Sequence, residues 1–143
     1  SRILGVIVID EYLAVRSLLG HVPDAMPDGP RALPASAHWR LLQRLHSPGS
    51  GQLSRVLAQL SPEGLAVLRR PNPIVLEVLD PRPLLDEAAR IAAAYGGTGL
   101  LVAETVTAAL RHGKQLWFGT ERNVGQRLRL IADDLGIEIH VAN

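Results

Sequence analysis

Short aliphatic runs alternate along this chain with stretches of helical period, and that alternation limits the folds open to it more than any other feature. Leu4 to Ile9 is a nearly unbroken apolar run, the pattern of a strand buried on both faces of a parallel sheet. Ile74 to Leu79, Gln115 to Phe118 and Ile137 to Val141 are further strand candidates. "HVPDAMPDGPRALP" reads as loop, with four prolines, so any strand near Ala32–Ser36 must be short and edge-like.

The intervening segments have helical spacing. Leu13, Ser17 and Gly20 mark one side of the segment that follows the first run. "HWRLLQRLH" places Trp39, Leu42 and Leu45 at three-residue steps, and "GQLSRVLAQL" carries Leu53, Val56, Leu57 and Leu60 as an amphipathic stripe. "SPGSG" between them is a turn, and "SPEG" offers a serine cap with proline at the first helical position. "LLDEAARIAAAYGG" predicts a helix that stops at a glycine pair. Thr98 then caps "GLLVAETVTAALRHG", which Gly113 closes, and Asn123 to Leu135 predicts a helix ended by Gly136. Strands alternating with helices predict a three-layer α/β/α domain on a mostly parallel sheet. With no repeat and no long linker, residues 1–143 read as one domain.

Apolar residues make up 47% of the chain and aromatics only 3%, so the core must be aliphatic. Without cysteine there is no disulfide and no cysteine-ligated zinc, which fits a reducing compartment. The apolar runs fall well short of the roughly 20 residues of a membrane span, and no signal peptide is visible, so a soluble cytoplasmic protein is expected. A net charge of +1 argues against a general polyanion binder, but the charge is uneven. Residues 31–70 hold six arginines against one acid, Glu63, between two acidic flanks.

Ligands of open parallel sheets sit outside the carboxyl ends of the strands. Asp10 ends the first strand, Glu121 follows the strand "QLWF", and Glu104 lies on the apolar helix before that strand. These three carboxylates are expected to meet at one rim of the sheet, where they would repel unless neutralised. A divalent ion such as magnesium or manganese, held by oxygen ligands, would neutralise them and activate water on a phosphodiester. Each acid also has a plainer role: Asp10 as a helix cap, Glu104 as the exposed face of a helix, Glu121 as a cap for the helix near Asn123. Glu11 is read as a first-turn partner of the helix dipole.

"VIVID" followed by a helix, the helical hairpin in the middle, "LLVAETVTAALRHGKQLWFGTERN" and the closing "IADDLGIEIHV" resemble the PIN domain, the ribonuclease fold of VapC-type toxins. The resemblance covers essentially the whole chain. It implies a five-stranded parallel sheet flanked by helices, and a magnesium- or manganese-dependent endoribonuclease acting as the toxin of a toxin–antitoxin pair. A homodimer neutralised by a small antitoxin protein is also implied. In that pattern Asp10 takes the first aspartate, Glu104 best matches the third acid and Glu121 replaces the fourth; together they would be the catalytic and metal-binding residues. Tyr12 stands where a small polar residue is expected. The helix of the middle pair that should carry the second acid offers His38, Arg40 and Gln43 instead.

Arg40, Arg44 and Arg55 are candidate RNA-phosphate contacts, because few acids balance them. A second reading keeps the fold without the chemistry: a degenerate PIN-like module whose basic hairpin binds nucleic acid or a protein partner. A third is a receiver-like signalling domain, from "VIVIDE" and from "IVLEVLDP" ending at Asp80. His38 is a candidate replacement ligand.

Overall fold

The computed structural model describes residues 6–143, so Leu4 and Gly5, the start of the first aliphatic run, lie outside the described residues. The run continues as β1 (Ile7–Ile9), and Asp10 turns it directly into α1 (Glu11–Leu18). After a proline-bounded loop come β2 (Arg31–Leu33), α2 (Ala35–His46), α3 (Gln52–Leu57) and α4 (Pro62–Arg69). Then follow β3 (Glu77–Val78), a 3-10 turn (Arg82–Leu84), α5 (Leu85–Ala94) and α6 (Leu100–Arg111). The chain ends through β4 (Gln115–Phe118), a second 3-10 turn (Glu121–Asn123), α7 (Gln126–Leu135) and β5 (Glu138–Val141).

The sheet has five strands in the order β3-β2-β1-β4-β5, and every neighbouring pair is parallel. Its two faces bury different halves of each strand, as the two-residue period requires. Val8, Leu116 and Phe118 face a core closed by Ile91, Val106, Leu128 and Ile131 from α5, α6 and α7. Ile9 and Leu33 face the opposite side, under Leu13, Ala14 and Ala37 from α1 and α2. Outside that layer Val15, Leu41, Leu53, Leu57 and Leu68 tie α1 to α2, α3 and α4. The three-layer α/β/α expectation is met. Among the described residues no helix is long and apolar enough to cross a membrane.

Four local expectations are corrected. The strand near Ala32 is short but not an edge: β2 lies between β1 and β3, with Ala32 and Leu33 fully buried. Prolines 30 and 34 flank it without removing a ladder donor from its interior. The strand expected from Ile74 to Leu79 shrinks to two residues. Asn72 starts a turn there, its side chain accepting from Ile74 N and its carbonyl from Val75 N, which leaves Ile74 92% exposed. Gly99, not Thr98, holds the cap position of α6, while the Thr98 hydroxyl donates back to the Tyr95 carbonyl. The last helix begins at Gln126; Asn123 closes the preceding 3-10 turn, which Thr120 caps.

The topology locates the site. From β1 the chain moves outward through β2 and β3, then returns to the other flank of β1 as β4. The order therefore reverses between β1 and β4, and the crevice beyond their carboxyl ends is the switch point where ligands of such sheets bind. Gly119 lets that crevice close. A Cβ there would stand 2.7 Å from Tyr12 Cβ and 3.2 Å from Leu13 N, so only glycine allows β4 to leave the sheet this close to α1. Gly119→Ala is expected to destabilise the chain by about 1–3 kcal/mol, as overpacking against backbone does. Urea unfolding measures this, and an unchanged midpoint would mean that α1 and β4 are not held this tightly.

Candidate functional site

Asp10 and Glu11 are consecutive, yet both carboxylates are buried at the switch point. Asp10 stands before the first turn of α1, and its Oδ1 accepts from Leu13 N at 2.9 Å, a helix cap. The same oxygen accepts from Gly119 N at 3.1 Å, and Oδ2 accepts from Asn123 Nδ2 at 2.9 Å. Glu11 Oε1 accepts from the same amide nitrogen at 2.5 Å. Glu11 Oε2 is buried and has no hydrogen-bond partner among the described residues. The cation nearest to it is the guanidinium of Arg40 on α2, with Nη1 at 3.4 Å. That nitrogen also donates to Asn123 Oδ1 at 3.2 Å. A cavity of about 60 Å³ opens among these groups, with Thr105, Trp117 and Leu128 completing its walls.

The electrostatics follow from the burial. Loss of water pushes the Asp10 carboxyl up, and the neighbouring Glu11 charge pushes it further. The bonds from Leu13, Asn123 and Gly119 pull the other way but do not win, and the group ends at about 7.

The three carboxylates singled out in the sequence do not form one cluster. Asp10 lines the crevice. Glu104 is fully buried but serves another helix: its Oε1 accepts from Ser36 N at 2.9 Å and from the Ser36 hydroxyl. Pro34 leaves the first turn of α2 without a side-chain cap, so Glu104 supplies from α6 the acceptor that turn lacks. It is therefore not the exposed face of its helix. Glu121 is exposed, and its carboxylate pairs with Arg129 on α7. Among the described residues no group of three His, Cys, Asp or Glu side chains is placed to hold an ion.

The crevice as built does not fit a divalent ion. Its two carboxylates are met by an amide N–H pair and a guanidinium, both donors, and a guanidinium stands where the ion's charge would be needed. His38 is not a substitute ligand; its Nε2 lies 3.3 Å from the Leu68 carbonyl. Asp80 lies two residues beyond β3, two strands from β1, and Arg82 lowers its carboxyl below the usual value through hydrogen bonds.

The basic residues divide. Arg40 points into the crevice. Arg44 and Arg55 meet at the turn over residues 47–51: a Cβ on Gly49 would lie 3.0 Å from Arg44 Nη1, and Arg55 Nη1 donates to the Ser50 carbonyl at 2.7 Å. The turn itself is fixed by Gly49 N donating to Ser54 Oγ at 2.9 Å.

Sequence reasoning missed Glu11, Asn123 and the inward role of Arg40. The signal for Glu11 was its position directly after the acid that ends a buried strand. Asn123 had only its place one short turn after β4 to mark it. Comparison with protein-family models, curated proteins and solved structures finds no match to the chain.

A pH dependence follows from Asp10. Folded, it keeps its proton to about pH 7; unfolded, it releases it near its ordinary 3.8. The folded state binds more protons between those values, so this group's contribution is complete below pH 3.8 and is lost as the pH rises through about 7. The loss is on the order of 4 kcal/mol. Asp10→Asn has no such proton, so its stability relative to the parent chain should improve as the pH rises from about 5 to about 8. Carbon-detected titration of Asp10 checks the cause directly, and a midpoint near 4 would refute it.

Proposed function

We propose that this chain is a PIN-like module that binds single-stranded RNA through its α2–α4 layer, without metal-dependent cleavage. The observation that carries the reading is the meeting of Arg44 and Arg55, from two helices, on the turn over residues 47–51. Five arginines lie in residues 35–70 against Glu63 alone, and among the described residues neither Arg44 nor Arg55 is paired with a carboxylate. Trp39, 66% exposed on α2, adds a flat ring on which an unpaired base can stack. An exposed Arg55, a half-exposed Arg44 and an exposed tryptophan on one helical layer favour a nucleic acid over an acidic protein segment, which has no need of the ring.

The degenerate form of the PIN-like reading is favoured over the nuclease by the crevice. Arg40 supplies the positive charge there, and Glu121 and Glu104 are engaged elsewhere. RNA binding should therefore occur in EDTA.

Fluorescence anisotropy with a labelled single-stranded RNA tests this. Affinity should fall steeply with salt, and Arg44→Ala and Arg55→Ala should each lower the log–log salt slope by about 1. Trp39→Ala should weaken binding by about 1–3 kcal/mol without changing that slope. Binding indifferent to Arg44 and Arg55, or RNA cleavage by the unaltered chain on adding manganese, would sink the reading.

A further inference from the structure

We infer that the free edge of β5, with the groove beside it on α7, is a docking site for an extended segment of a partner protein in which apolar and basic residues alternate, taken up as a further strand of the sheet. None of the residues involved takes part in the proposed RNA binding.

The two edges of the sheet are built differently. β3 closes one of them with two residues set between Pro73 and Pro81, which leaves little for another strand to pair with. β5 closes the other with four residues, and Gln115 to Asn143 holds no proline and no lysine, the residues that commonly blunt an edge. Glu138 N donates to the Lys114 carbonyl at 2.9 Å, and Ala142 N to that of Phe118 at 2.9 Å. Strand alternation then turns the N–H and C=O groups of Ile139 and Val141 outward, and among the described residues no strand lies beyond them.

Main-chain bonds at such an edge hold an extended segment of any sequence; the side chains on its two faces select which one. On the α7 face Ile139 and Val141 are half-buried, and Ile139 borders a groove of about 540 Å³ walled by Leu130, Ala132 and Ile137, a size typical of ligand pockets. Leu130 is 62% exposed, so this face offers apolar contact. Glu138 and His140 occupy the opposite face, where His140 stacks on Trp117. Residues 130–143 carry three acids, Asp133, Asp134 and Glu138, and neither lysine nor arginine. Asp134 accepts from the Tyr95 hydroxyl, but Asp133, on the groove wall, has no ion-pair partner among the described residues. Arg129, the cation of the groove, is paired with Glu121. Opposite charges attract across a strand pair and like charges repel, so the position beside Glu138 calls for a basic residue. The two-residue period then gives alternation of apolar and basic side chains. The same acids repel a phosphate backbone, so a nucleic acid does not suit this edge.

The test is titration of the isotope-labelled chain with a blocked heptapeptide of alternating valine and lysine, read by amide hydrogen exchange. Saturating peptide should slow exchange at Ile139 and Val141 by at least about tenfold. An analogue N-methylated throughout, which cannot donate main-chain bonds, should not slow it. A peptide alternating valine and glutamate should bind at least about fivefold more weakly. Leu130→Ser, Asp133→Asn and Glu138→Gln, each checked for folding by circular dichroism, should each weaken the valine–lysine peptide by about two- to fivefold. A peptide that leaves Ile139 and Val141 unprotected at millimolar concentration, equal binding of either analogue, or affinity indifferent to all three substitutions would each overturn the inference. So would protection of those two amides without peptide in a chain that sediments as a dimer, because the edge would then belong to a second copy.

Discussion

Three donors from three separate elements meet on the Asp10 carboxylate: Leu13 N in the first turn of α1, Gly119 N where β4 ends, and the Asn123 amide in the turn beyond. Hydrogen bonds to a charged group contribute about 1.5–3 kcal/mol each, so three such bonds are large beside a typical domain stability of 5–15 kcal/mol. They still do not compensate the loss of water and the neighbouring Glu11, because the carboxyl ends up about as ready to hold a proton as to lose it near neutral pH. The bonds therefore act less as net stabilisation than as a tie. They fix the strand-to-helix turn after β1 against the exit of β4, the two ends between which the strand order reverses. If Asp10 let go, α1, β4 and the 3-10 turn would lose their common anchor.

Two other buried carboxylates show how differently the fold can treat the same group. Glu104 is matched by the open first turn of α2, where partial positive charge and free N–H groups are concentrated. It pins α6 to α2 across the sheet's carboxyl rim. Glu11 lies in the first turn of α1, where the helix dipole favours it as expected, and is also matched by a full positive charge from Arg40. A buried ion pair of this kind is weak support for stability, because desolvating both charges offsets most of their attraction. Its value lies in what it prevents: two adjacent carboxylates left facing one cavity without a cation.

The frame of the molecule was legible in its sequence wherever one rule governed a segment. β4 was bounded to the residue as "QLWF" between Lys114 and Gly119. Ser61 with Pro62 marked the start of α4, where Ser61 Oγ accepts from Gly64 N at 3.1 Å, and Gly136 ended α7 in the left-handed conformation. Failures came where a local side-chain bond competed with the pattern. Asn72 drew its neighbours into a turn and shortened β3, although Ile74, Val75 and Leu76 are good strand formers. The candidate site was half legible. A buried strand ending in an acid pointed correctly to the Asp10 crevice. Glu104 and Glu121 both looked able to join it, since facing directions around a sheet rim depend on helix phase and turn geometry that spacing does not fix. Only packing shows that α6 turns Glu104 towards Ser36 and that a 3-10 turn throws Glu121 outward while bringing Asn123 in.

The same packing answers an objection to the proposed RNA binding, that the chain carries acids at its heart. Asp10, Glu11 and Glu104 lie behind the protein surface, and each meets at least one local donor. Exposed charges are felt within about 8–10 Å at physiological salt, so what an approaching phosphate meets is decided by its near neighbours and not by the overall +1. Over the α2–α4 layer those neighbours are arginines. Arg40 is paired with Glu11, whereas among the described residues Arg44 and Arg55 have no carboxylate partner. Two like charges held together in this way repel each other, and the turn's own Ser50 carbonyl offsets only part of that repulsion. In the proposed complex an RNA phosphate would offset the rest.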